Sequence, residues 1–453
     1  MSKLELIVLS GCATYRAQPV APVALMNAFE TRTLDDPALR QYIAAHCGDR
    51  DACAPGVWNL NTLTLAAFYF SPVLDIARAQ SGASQAAIQS AEQHPNPTLQ
   101  LPLGYTSNAK PGESPYTFGL GLDIPIETAG KRGYRVAQAQ QISDAARFNI
   151  GNVAWQVRSR LRSHMLNLYS VTRGIEILEQ RLDTQQQIVA MLDKRLAVGA
   201  ASAPEANQAR IALVQNRVAL AKAQQQAQDE RAQIASAIGL PVAALANIQI
   251  GFAAFERVYP DIPTDDVRRQ AVLNRADILA ALSEYEASQA ALQLEIARQY
   301  PDIHIGPGYT FDAGAHKFLL PLSGINLPLF NQNRGPIAEA SARRKEVAAR
   351  VNALQAQAID DTQRAVHNYR AVLENLHLAE SLLSVQQRQL QDLKMTYKAG
   401  ETDRLTLDLA QYSLYTHALI RQDALLQVQQ DIGQLEDAMQ RPLSSADFPA
   451  VSD

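Results

Sequence analysis

The sequence predicts a mainly α-helical chain with a small β part, built from two internal repeats. Three observations lead to this prediction: a duplication, heptad spacing of apolar residues over long segments, and segments in which apolar and polar residues alternate. We expect the long coiled-coil helices of three chains to form a trimeric α-barrel. We expect this α-barrel to continue into a twelve-stranded membrane β-barrel, to which each subunit contributes four strands.

The duplication is visible as short segments that recur in the same order. The matched pairs are Gly104-Tyr105-Thr106 with Gly308-Tyr309-Thr310, Asp123-Ile124-Pro125-Ile126 with Asn326-Leu327-Pro328-Leu329, Arg132-Gly133 with Arg334-Gly335, Ala197-Val198-Gly199 with Lys398-Ala399-Gly400, and Gly239-Leu240-Pro241 with Gln440-Arg441-Pro442. The offset falls from 204 to 201 residues along the chain. We therefore predict one helix-hairpin-helix repeat over residues 61–260 and a second over 261–442.

Each repeat contains two strand-like segments, near 97–107 and 115–126 in the first repeat and near 302–312 and 318–329 in the second. From Tyr116 to Ile126, large apolar side chains alternate with small or polar ones, which is the period of a strand. The fourth segment changes phase near Ser323-Gly324, which predicts a β-bulge. Strands of about ten residues match the span of a tilted membrane strand.

The two faces of these strands suggest lipid on one side and water on the other. Tyr and Phe lie near the hairpin ends, where interfacial aromatic residues belong, and the opposite face is rich in Gly and Thr. Four strands cannot enclose water, because even an eight-stranded barrel is filled by side chains. Three copies would supply twelve strands, so a trimer follows if the hairpins span a membrane. Hairpins that pack one face on a soluble core remain the alternative.

Long helices are predicted between and beside the hairpins. Leu161, Leu168, Ile175, Leu182, Val189 and Leu196 recur every seven residues, and Leu376, Leu383, Leu390 and Tyr397 lie 201 positions after the last four. A sustained heptad predicts coiled-coil packing. The run from Lys131 to Val198 would be about 100 Å long. Return helices are predicted over 204–238 and 404–439, and further helices over 62–93 and 264–299. The aperiodic segment 240–263 is interpreted as part of a belt around the middle.

The turns that end the long helices are the main candidate site. Gly199 and Gly400 fit the position past a helix end, and Ser202 and either Thr402 or Asp403 are suited to cap the next helix. In a trimer, Glu401 and Asp403 would form rings of carboxylates that favour cations. The alternative is that they only support the helix N-terminus. Arg404 is expected to pair with them between subunits and to hold the tip closed.

The N-terminal part of the chain contains the three cysteines. Leu9-Ser10-Gly11-Cys12 resembles the lipobox of bacterial lipoproteins, so we predict a signal segment over residues 1–12 and lipidation of Cys12. A chance match is the alternative. Cys47 and Cys53, in an N-terminal extension over residues 13–60, are interpreted as a disulfide in an oxidising periplasm or as two free thiols. Residues 443–453 are predicted to be a C-terminal tail.

Composition and motifs exclude several classes of function. The net charge of −4 at pH 7 and the pI of about 6.1 leave no basic surface for nucleic acid. No apolar run of about 18 residues occurs, which excludes a transmembrane helix and leaves strands as the membrane-spanning element. The eight histidines are dispersed, and His304 is interpreted as a solvated lumen residue. We expect no catalytic cluster, no metal site and no cofactor, and hence no enzyme.

The motifs and their order resemble the TolC family of outer-membrane efflux ducts from about residue 58 onwards. The segments 122–132 (LDIPIETAGKR), 58–67 (WNLNTLTLAA) and 74–79 (LDIARA) are similar to the heavy-metal, CzcC-type branch. This resemblance implies a homotrimer in the outer membrane, docked to a periplasmic adaptor protein and an inner-membrane pump of the proton-driven RND class. It also implies that the turns at Gly199 and Gly400 form the periplasmic tip where the adaptor engages.

The resemblance implies a passive conduit that exports heavy-metal cations from the pump or the periplasm to the exterior. A duct for drugs or other small organic compounds is the close alternative, because a conduit needs few substrate contacts. A soluble coiled-coil scaffold is an alternative of a different class. It would require that the lipobox is accidental and that the hairpins pack on helices.

Overall fold

The computed structural model describes residues 14–47, 56–260, 262, 264–320, 322–325 and 327–443. The side chains of residues 264–266 and 322–325 are outside this description. Helices dominate the described residues: α1 (Pro22–Glu30), α2 (Pro37–His46), α3 (Leu60–Phe70), α4 (Pro72–Glu92), α5 (Lys131–Ala197), α6 (Ala203–Ile238), α7 (Thr264–Leu273), α8 (Ala276–Ala297), α9 (Arg334–Lys398) and α10 (Arg404–Met439).

The long helices occur in both repeats with nearly equal lengths, as the duplication predicts. Helices α5 and α9 have 67 and 65 residues, and α6 and α10 have 36 residues each. Helices α5 and α9 end at Ala197 and Lys398, which are 201 positions apart. Helices α6 and α10 start at Ala203 and Arg404, which are also 201 positions apart. The bounds predicted from heptads and turn residues are therefore confirmed to within a residue. At 1.5 Å per residue, α5 is about 100 Å long.

The predicted helices over 62–93 and 264–299 are wrong in one respect, because each is broken into two. The chain bends by 54° between α3 and α4, at Ser71-Pro72. Pro72 has no N–H to continue the helical hydrogen-bond ladder, and it starts the next helix instead. In the second repeat, α7 ends at Leu273 and α8 starts at Ala276. Within the described residues no single helix is long and apolar enough to cross a membrane, and only the bent pair of α3 and α4 meets this criterion jointly.

The N-terminal extension contains two short helices that the sequence did not predict. Helix α2 starts where Asp36 accepts a hydrogen bond from the Ala38 N–H, while α1 has no buried residue. Arg32 fixes the extension to the repeats by donating to the carbonyl oxygens of Phe70 (3.2 Å) and Gly239 (2.9 Å). Cys47 is disulfide-bonded. Cys12 and Cys53 lie outside the described residues, so the lipidation of Cys12 and the predicted Cys47–Cys53 pairing stay predictions.

The belt segment is irregular, as expected from its sequence. It contains two turns of 3₁₀-helix, Val242–Leu245 and Ala253–Glu256. A single parallel bridge joins Ile250 to Trp58. Phe255 is buried in the main apolar core. The belt therefore packs the N-terminal extension and the long helices together at one level of the molecule.

Seven strands form one antiparallel sheet within the described residues. They are β1 (Thr98–Gln100), β2 (Leu103–Tyr105), β3 (Tyr116–Ile126), β4 (Ile303–Ile305), β5 (Gly308–Asp312), β6 (Ala315–Leu319) and β7 (Leu322–Ile325). Strand β3 pairs with β1 and β2 along one side and with β4 and β5 along the other. Strand β6 then pairs with β5, and β7 with β4. The sheet thus has four rows, each broken once except for β3.

The rows match the four predicted strand segments with local corrections. Residue Ser323 is skipped in the pairing of β7 with β4, because His304 faces Gly324 and Ile305 faces Leu322. The predicted β-bulge is therefore confirmed. The fourth segment was predicted to run to Leu329, but β7 ends at Ile325, ahead of Pro328, which has no N–H to donate to a ladder.

The sheet has one apolar and one polar face. In β3, exposed Tyr, Phe, Leu and Ile side chains alternate with residues that are less exposed. The apolar face is formed by exposed side chains of several strands: Leu99, Leu103, Tyr105, Tyr116, Phe118, Leu120, Leu122, Ile124, Ile126 and Phe318. On the polar face, basic side chains and carboxylates of neighbouring rows lie within hydrogen-bond distance of each other. His304 Nδ1 lies 3.1 Å from Asp123 Oδ1, and Lys317 lies 3.2 Å from Asp312.

The main core lies where α3, α5, α6, α9, α10 and the belt meet. Its members include Leu63, Phe68, Leu161, Met165, Leu168, Ile234, Ile238, Phe255, Tyr369, Val428 and Leu435. These residues come from both repeats, so the core joins the repeats rather than stabilising each one separately. The heptad residues of α5 follow this pattern. Leu161 and Leu168 are in the core, whereas Leu192 lies in a small cluster at the far end of the helix.

A buried ionic cluster fixes α5 to α10 beside the core. Glu436 Oε2 lies 3.1 Å from Arg158 Nη1 and 3.3 Å from Arg162 Nε, and all three side chains are buried. Gly433 makes room for this cluster, because a Cβ there would lie 2.5 Å from Arg162 Nη1. Asp437 next in the chain accepts hydrogen bonds from Trp155 and Ser159 at 2.8 Å. Burial raises the pKa of Asp437, against the effect of these two hydrogen bonds.

We expect the substitution Glu436→Gln to destabilise the protein strongly. It leaves two buried guanidinium groups without their counter-charge, and breaking a buried ion pair from one side costs about 3–5 kcal/mol. The measurement is the urea midpoint of the detergent-solubilised protein by circular dichroism. Glu374→Gln, which neutralises an exposed acid on α9, serves as the control. Equal midpoints for the two variants would show that the cluster does not hold the helices together.

Candidate functional site: the helical tip

The tip consists of the last turns of α5 and α9, the two connecting turns, and the first turns of α6 and α10. Both turns have the same backbone conformation. Gly199 and Gly400 have φ angles of 75° and 79°, a left-handed region that favours glycine. After them, the N–H groups of Ala200 and Glu401 donate to the carbonyl oxygens of Arg195 (2.7 Å) and Thr396 (3.0 Å). Each long helix thus ends in a glycine C-cap, as the sequence predicts.

The return helices begin with side-chain caps. Ser202 accepts a hydrogen bond from the Glu205 N–H at 3.3 Å. In the second repeat the cap is Asp403, which accepts from the Thr406 N–H at 2.8 Å and from the Thr406 hydroxyl at 2.7 Å. The sequence left Thr402 and Asp403 as alternatives, and the structure selects Asp403. The cap satisfies backbone donors that have no partner within the helix.

Asp403 also joins the two repeats through an ion pair. Its Oδ2 lies 2.7 Å from Arg195 Nη2, near the end of α5. The hydrogen bond from Arg195, followed by those from Thr406, lowers the pKa of Asp403 to about 2. The carboxylate therefore remains ionised at any pH expected around a bacterial cell. The interaction is exposed to solvent, so its contribution to stability is small.

Arg404 takes part in a second polar contact between the repeats. Its Nε lies 2.8 Å from Asp408 Oδ1, and its Nη2 donates to Gln187 Oε1 on α5 at 3.1 Å. The hydrogen bond with Asp408 raises the pKa of Arg404. Asp408 is buried, and its second oxygen has no hydrogen-bond partner within the described residues. The predicted pairing of Arg404 with Glu401 or Asp403 of another subunit concerns an assembly and stays a prediction.

Apolar packing supports these polar contacts. Leu405 of the second repeat is buried against Ile188, Leu192 and Ala206 of the first repeat. One layer further from the turns, the Arg181 guanidinium lies 5.7 Å from the centre of the Tyr412 ring, a cation–π contact. The first turns of α10 are therefore seated on α5 by apolar and charged contacts together.

The two turns differ in charge although their backbones agree. Glu401 is exposed beside Asp403 in the second repeat, whereas the corresponding part of the first repeat is Ala200-Ala201-Ser202. The acids nearest the first turn are Glu205, which is exposed, and Asp193, which lies 2.7 Å from Arg210. The candidate acidic site is therefore confined to the second turn of each chain.

Three residues of this site were not identified from the sequence: Gln187, Arg195 and Asp408. Gln187 and Arg195 have their partners on another helix, whereas Asp408 pairs with Arg404 four residues before it on α10. Arg195 and Asp403 are 208 positions apart. No local spacing indicates such a pair. The internal repeat offered a partial signal, since it places the end of α5 and the start of α10 at the same level.

We expect Asp403→Ala to loosen the first turn of α10, because it removes both the cap and the ion pair. Loss of an N-cap costs about 0.5–2 kcal/mol, so exchange of the Thr406 amide should rise by about 2- to 30-fold. Asp403→Asn keeps the capping oxygen and should have a smaller effect. Hydrogen-exchange mass spectrometry of the tip measures the exchange rate in both variants. Ser202→Ala is the matched change in the first repeat.

The pH dependence follows from the lowered pKa of Asp403. A carboxyl group with a lowered pKa stabilises the folded state above its ordinary pKa of 3.8 and loses this effect as the pH falls towards about 2. The difference in the free energy of unfolding between the wild type and Asp403→Asn should therefore be the same at pH 5 and pH 7. A difference that changes over this interval would contradict the assignment of the ion pair.

Comparison with known proteins relates this architecture to exporters. Residues 70–240 match the family model described as outer membrane efflux protein. The cobalt-zinc-cadmium resistance protein CzcC of Cupriavidus metallidurans is 24% identical over 328 residues, which are 72% of this chain and 73% of the relative. The pyoverdine export outer membrane protein OpmQ of Pseudomonas aeruginosa is 24% identical over 462 residues, which are 94% of each chain.

The fold is shared with solved structures. The outer membrane protein VceC of Vibrio cholerae is 20% identical and superimposes with a TM-score of 0.68, covering 85% of this chain and 97% of VceC. The predicted resemblance to the TolC family is thus confirmed. Channels of this family work with periplasmic adaptors and inner-membrane pumps in tripartite efflux systems. Residues 70–240 of this chain thus match the outer membrane efflux protein family, and its fold is that of TolC-like channels, whose known members are outer membrane proteins with long helices on the periplasmic side.

Proposed function

We propose that three copies of this chain form a passive outer-membrane duct that exports heavy-metal cations. The observation that carries this proposal is the sheet, which has two faces of opposite character and two unpaired outer rows. Strands β1 and β2 on one side, and β6 and β7 on the other, have a neighbour on one side only among the described residues. Exposed sheet edges pair readily with another chain. Three four-row sheets joined edge to edge close a twelve-stranded barrel.

The chemistry of the two faces suits such a barrel in a membrane. The apolar face presents exposed large apolar side chains from several neighbouring strands, and it would contact outer-membrane lipid. The opposite face has paired polar groups, such as Asp123 with His304 and Asp312 with Lys317. These groups retain hydration in a water-filled lumen. His304 acts there as a half-exposed lumen residue rather than a metal ligand.

The helices extend the duct towards the inner membrane. Helix α5 alone provides about 100 Å of length. We propose that the glycine turns at Gly199 and Gly400 are the contact points of a periplasmic adaptor, and that an RND-type pump supplies the substrate. Arg404 and Asp403 would help to hold the resting tip closed. Lipidation of Cys12 would add an anchor in the membrane, and a disulfide between Cys47 and Cys53 would fit the oxidising periplasm.

Heavy-metal cations are the substrate class that we favour. This chain resembles CzcC, whose name describes cobalt, zinc and cadmium resistance, over 72% of the length of this chain. The tip adds Glu401 and Asp403, which a trimer would repeat three times around the pore. Rings of carboxylates raise the local concentration of cations. The duct itself performs no reaction, since transport energy comes from the pump.

A duct for small organic compounds is the second candidate. It is favoured by the likeness to OpmQ, a pyoverdine exporter by name, over 94% of both chains. A soluble scaffold is disfavoured by the family of the chain and by the exposed apolar face of its sheet.

Deletion of the gene distinguishes the two export candidates. We expect a deletion strain to become severalfold more sensitive to cobalt, zinc or cadmium salts and to keep its tolerance of dyes and organic antibiotics. Complementation with the wild-type gene is the control. Sensitivity to organic compounds alone would overturn the metal assignment in favour of the second candidate.

Neutralising the tip acids tests whether they select cations. We expect the double variant Glu401→Gln, Asp403→Asn to lower cation selectivity in planar bilayers, seen as a reversal potential closer to zero in a KCl gradient. The matched control is Glu205→Gln, which removes an exposed acid from the first repeat. If selectivity is unchanged in the double variant, the two acids are capping residues only.

A further inference from the structure

The connection between β7 and α9 extends the apolar face of the sheet towards the helices. In this connection Leu327 and Leu329 are 69% and 71% exposed, and Phe330 is fully exposed. At an offset of 203 residues, the two leucines correspond to Ile124 and Ile126, which belong to the apolar face of β3. An exposed apolar surface that continues a membrane-facing one is expected to contact lipid as well.

The starts of the two long helices support this offset. Gly130 and Asn333 precede α5 and α9, and both have left-handed backbones, with φ angles of 73° and 57°. At the same offset, Phe330 takes the place of Glu127, which pairs with Arg135 at 2.6 Å in the first repeat. The second repeat therefore has an exposed aromatic ring where the first repeat has an ion pair.

A cleft of about 450 Å³ lies beside these side chains. Its lining includes Leu327 and Phe330 of the connection, together with Arg298 and Tyr300, which follow the end of α8. Tyr300 is 59% exposed, and a tyrosine ring favours the boundary between lipid tails and water. The cleft is large enough for a small ligand, and its lining offers apolar side chains and a cation side by side.

Basic side chains outnumber acidic ones around this cleft. The Lys131 ammonium group lies 2.7 Å from Asp302, and Arg298 pairs with Glu295. Arg334, the first residue of α9, directly follows the connection that lines the cleft. It is exposed and makes no ion pair or side-chain hydrogen bond with the residues that the structure describes. One positive charge per copy thus has no counter-charge.

The internal repeat shows which acid is missing. Lys131 and Arg334 occupy the same position, because each is the first residue of a long helix. The acid that neutralises Lys131 is Asp302, which follows a proline just before β4. The residue after the corresponding proline of the first repeat is Thr98, which has a hydroxyl instead of a carboxylate. Both repeats therefore keep the cation, but only one has the acid, so an external anion would complete the second junction.

We propose that this cleft binds an anionic phospholipid of the inner leaflet of the outer membrane. The headgroup phosphate lies at Arg298 and Arg334, and the acyl chains lie along Leu327, Leu329 and Phe330. Guanidinium groups form strong charge-assisted hydrogen bonds with phosphate, and basic residues beside membrane-spanning segments attract anionic lipids. This proposal rests on the proposed duct, because lipid surrounds the connection only if the sheet spans the membrane.

Native mass spectrometry of the detergent-solubilised protein measures the headgroup preference. We expect the wild type to bind dioleoyl phosphatidylglycerol severalfold more than dioleoyl phosphatidylethanolamine, which has the same acyl chains and no net charge. Arg298→Gln combined with Arg334→Gln should remove this preference, since each basic residue contributes about 5-fold to binding of an anionic lipid. The matched control is Arg388→Gln combined with Lys394→Gln, which removes two exposed basic side chains of α9 near the tip and should keep the preference.

Quenching by brominated lipids tests whether the connection faces the membrane. Phe330→Trp places an indole at the proposed site, whereas the two native tryptophans, Trp58 and Trp155, lie at the belt and beside the core. In vesicles whose phospholipids are brominated near the headgroup, we expect the added indole to be quenched and the wild-type emission to stay unchanged. An unquenched variant would show that the connection lies away from lipid and would overturn the proposal.

The oligomeric state separates failure of the lipid site from failure of the duct. A trimer that enters vesicles but binds both lipids equally would overturn the headgroup site while leaving the duct in place. Displacement of the bound lipid by inorganic phosphate would indicate a site for a free anion and would overturn the lipid assignment. A wild type that stays monomeric and does not enter vesicles would overturn the proposed duct itself.

Discussion

The packing of α5 against α10 is the contact on which the rest of the structure depends. It begins at the tip with Arg195 and Asp403 and ends beside the core with Arg158 and Glu436. Because it joins the first repeat to the second, it also brings the two hairpins next to each other, so that β3 pairs with β4 and β5. A sheet of four rows exists only because two repeats are held side by side.

The duplication preserved the backbone and changed the side chains. Helices α6 and α10 have the same length, and both follow a turn with a left-handed glycine. The buried ionic cluster, however, occurs once, since the counterparts of Arg158 and Glu436 are Ile359 and Ala235. A buried ion pair tolerates little movement, because separating it leaves a charge in an apolar surrounding. The single ionic cluster therefore fixes the first repeat to the second at one register within the chain.

The sequence predicted those features that depend on local patterns. Heptads, glycine turns and capping residues located the four long helices, and alternation located the strands and the bulge at Ser323. The break at Pro72 was missed because apolar spacing continues through it. Arg195 and Gln187 were missed for a different reason, since their contacts depend on how two helices more than 200 residues apart align. Such a register is set by tertiary packing, which periodicity in one segment does not contain. Asp408, by contrast, lies four residues after its partner Arg404, a spacing that the sequence does contain.

The geometry of the tip assigns different roles to its two acids. Asp403 is ionised at all relevant pH values, but its charge lies 2.7 Å from that of Arg195. Seen from the pore, such a pair is close to neutral, because opposite charges at this distance cancel well within one screening length of about 8 Å. Glu401 lies beyond the end of α9 and is exposed. A carboxylate ring at the entrance would therefore attract cations mainly through Glu401, while Asp403 caps α10 and holds it to α5.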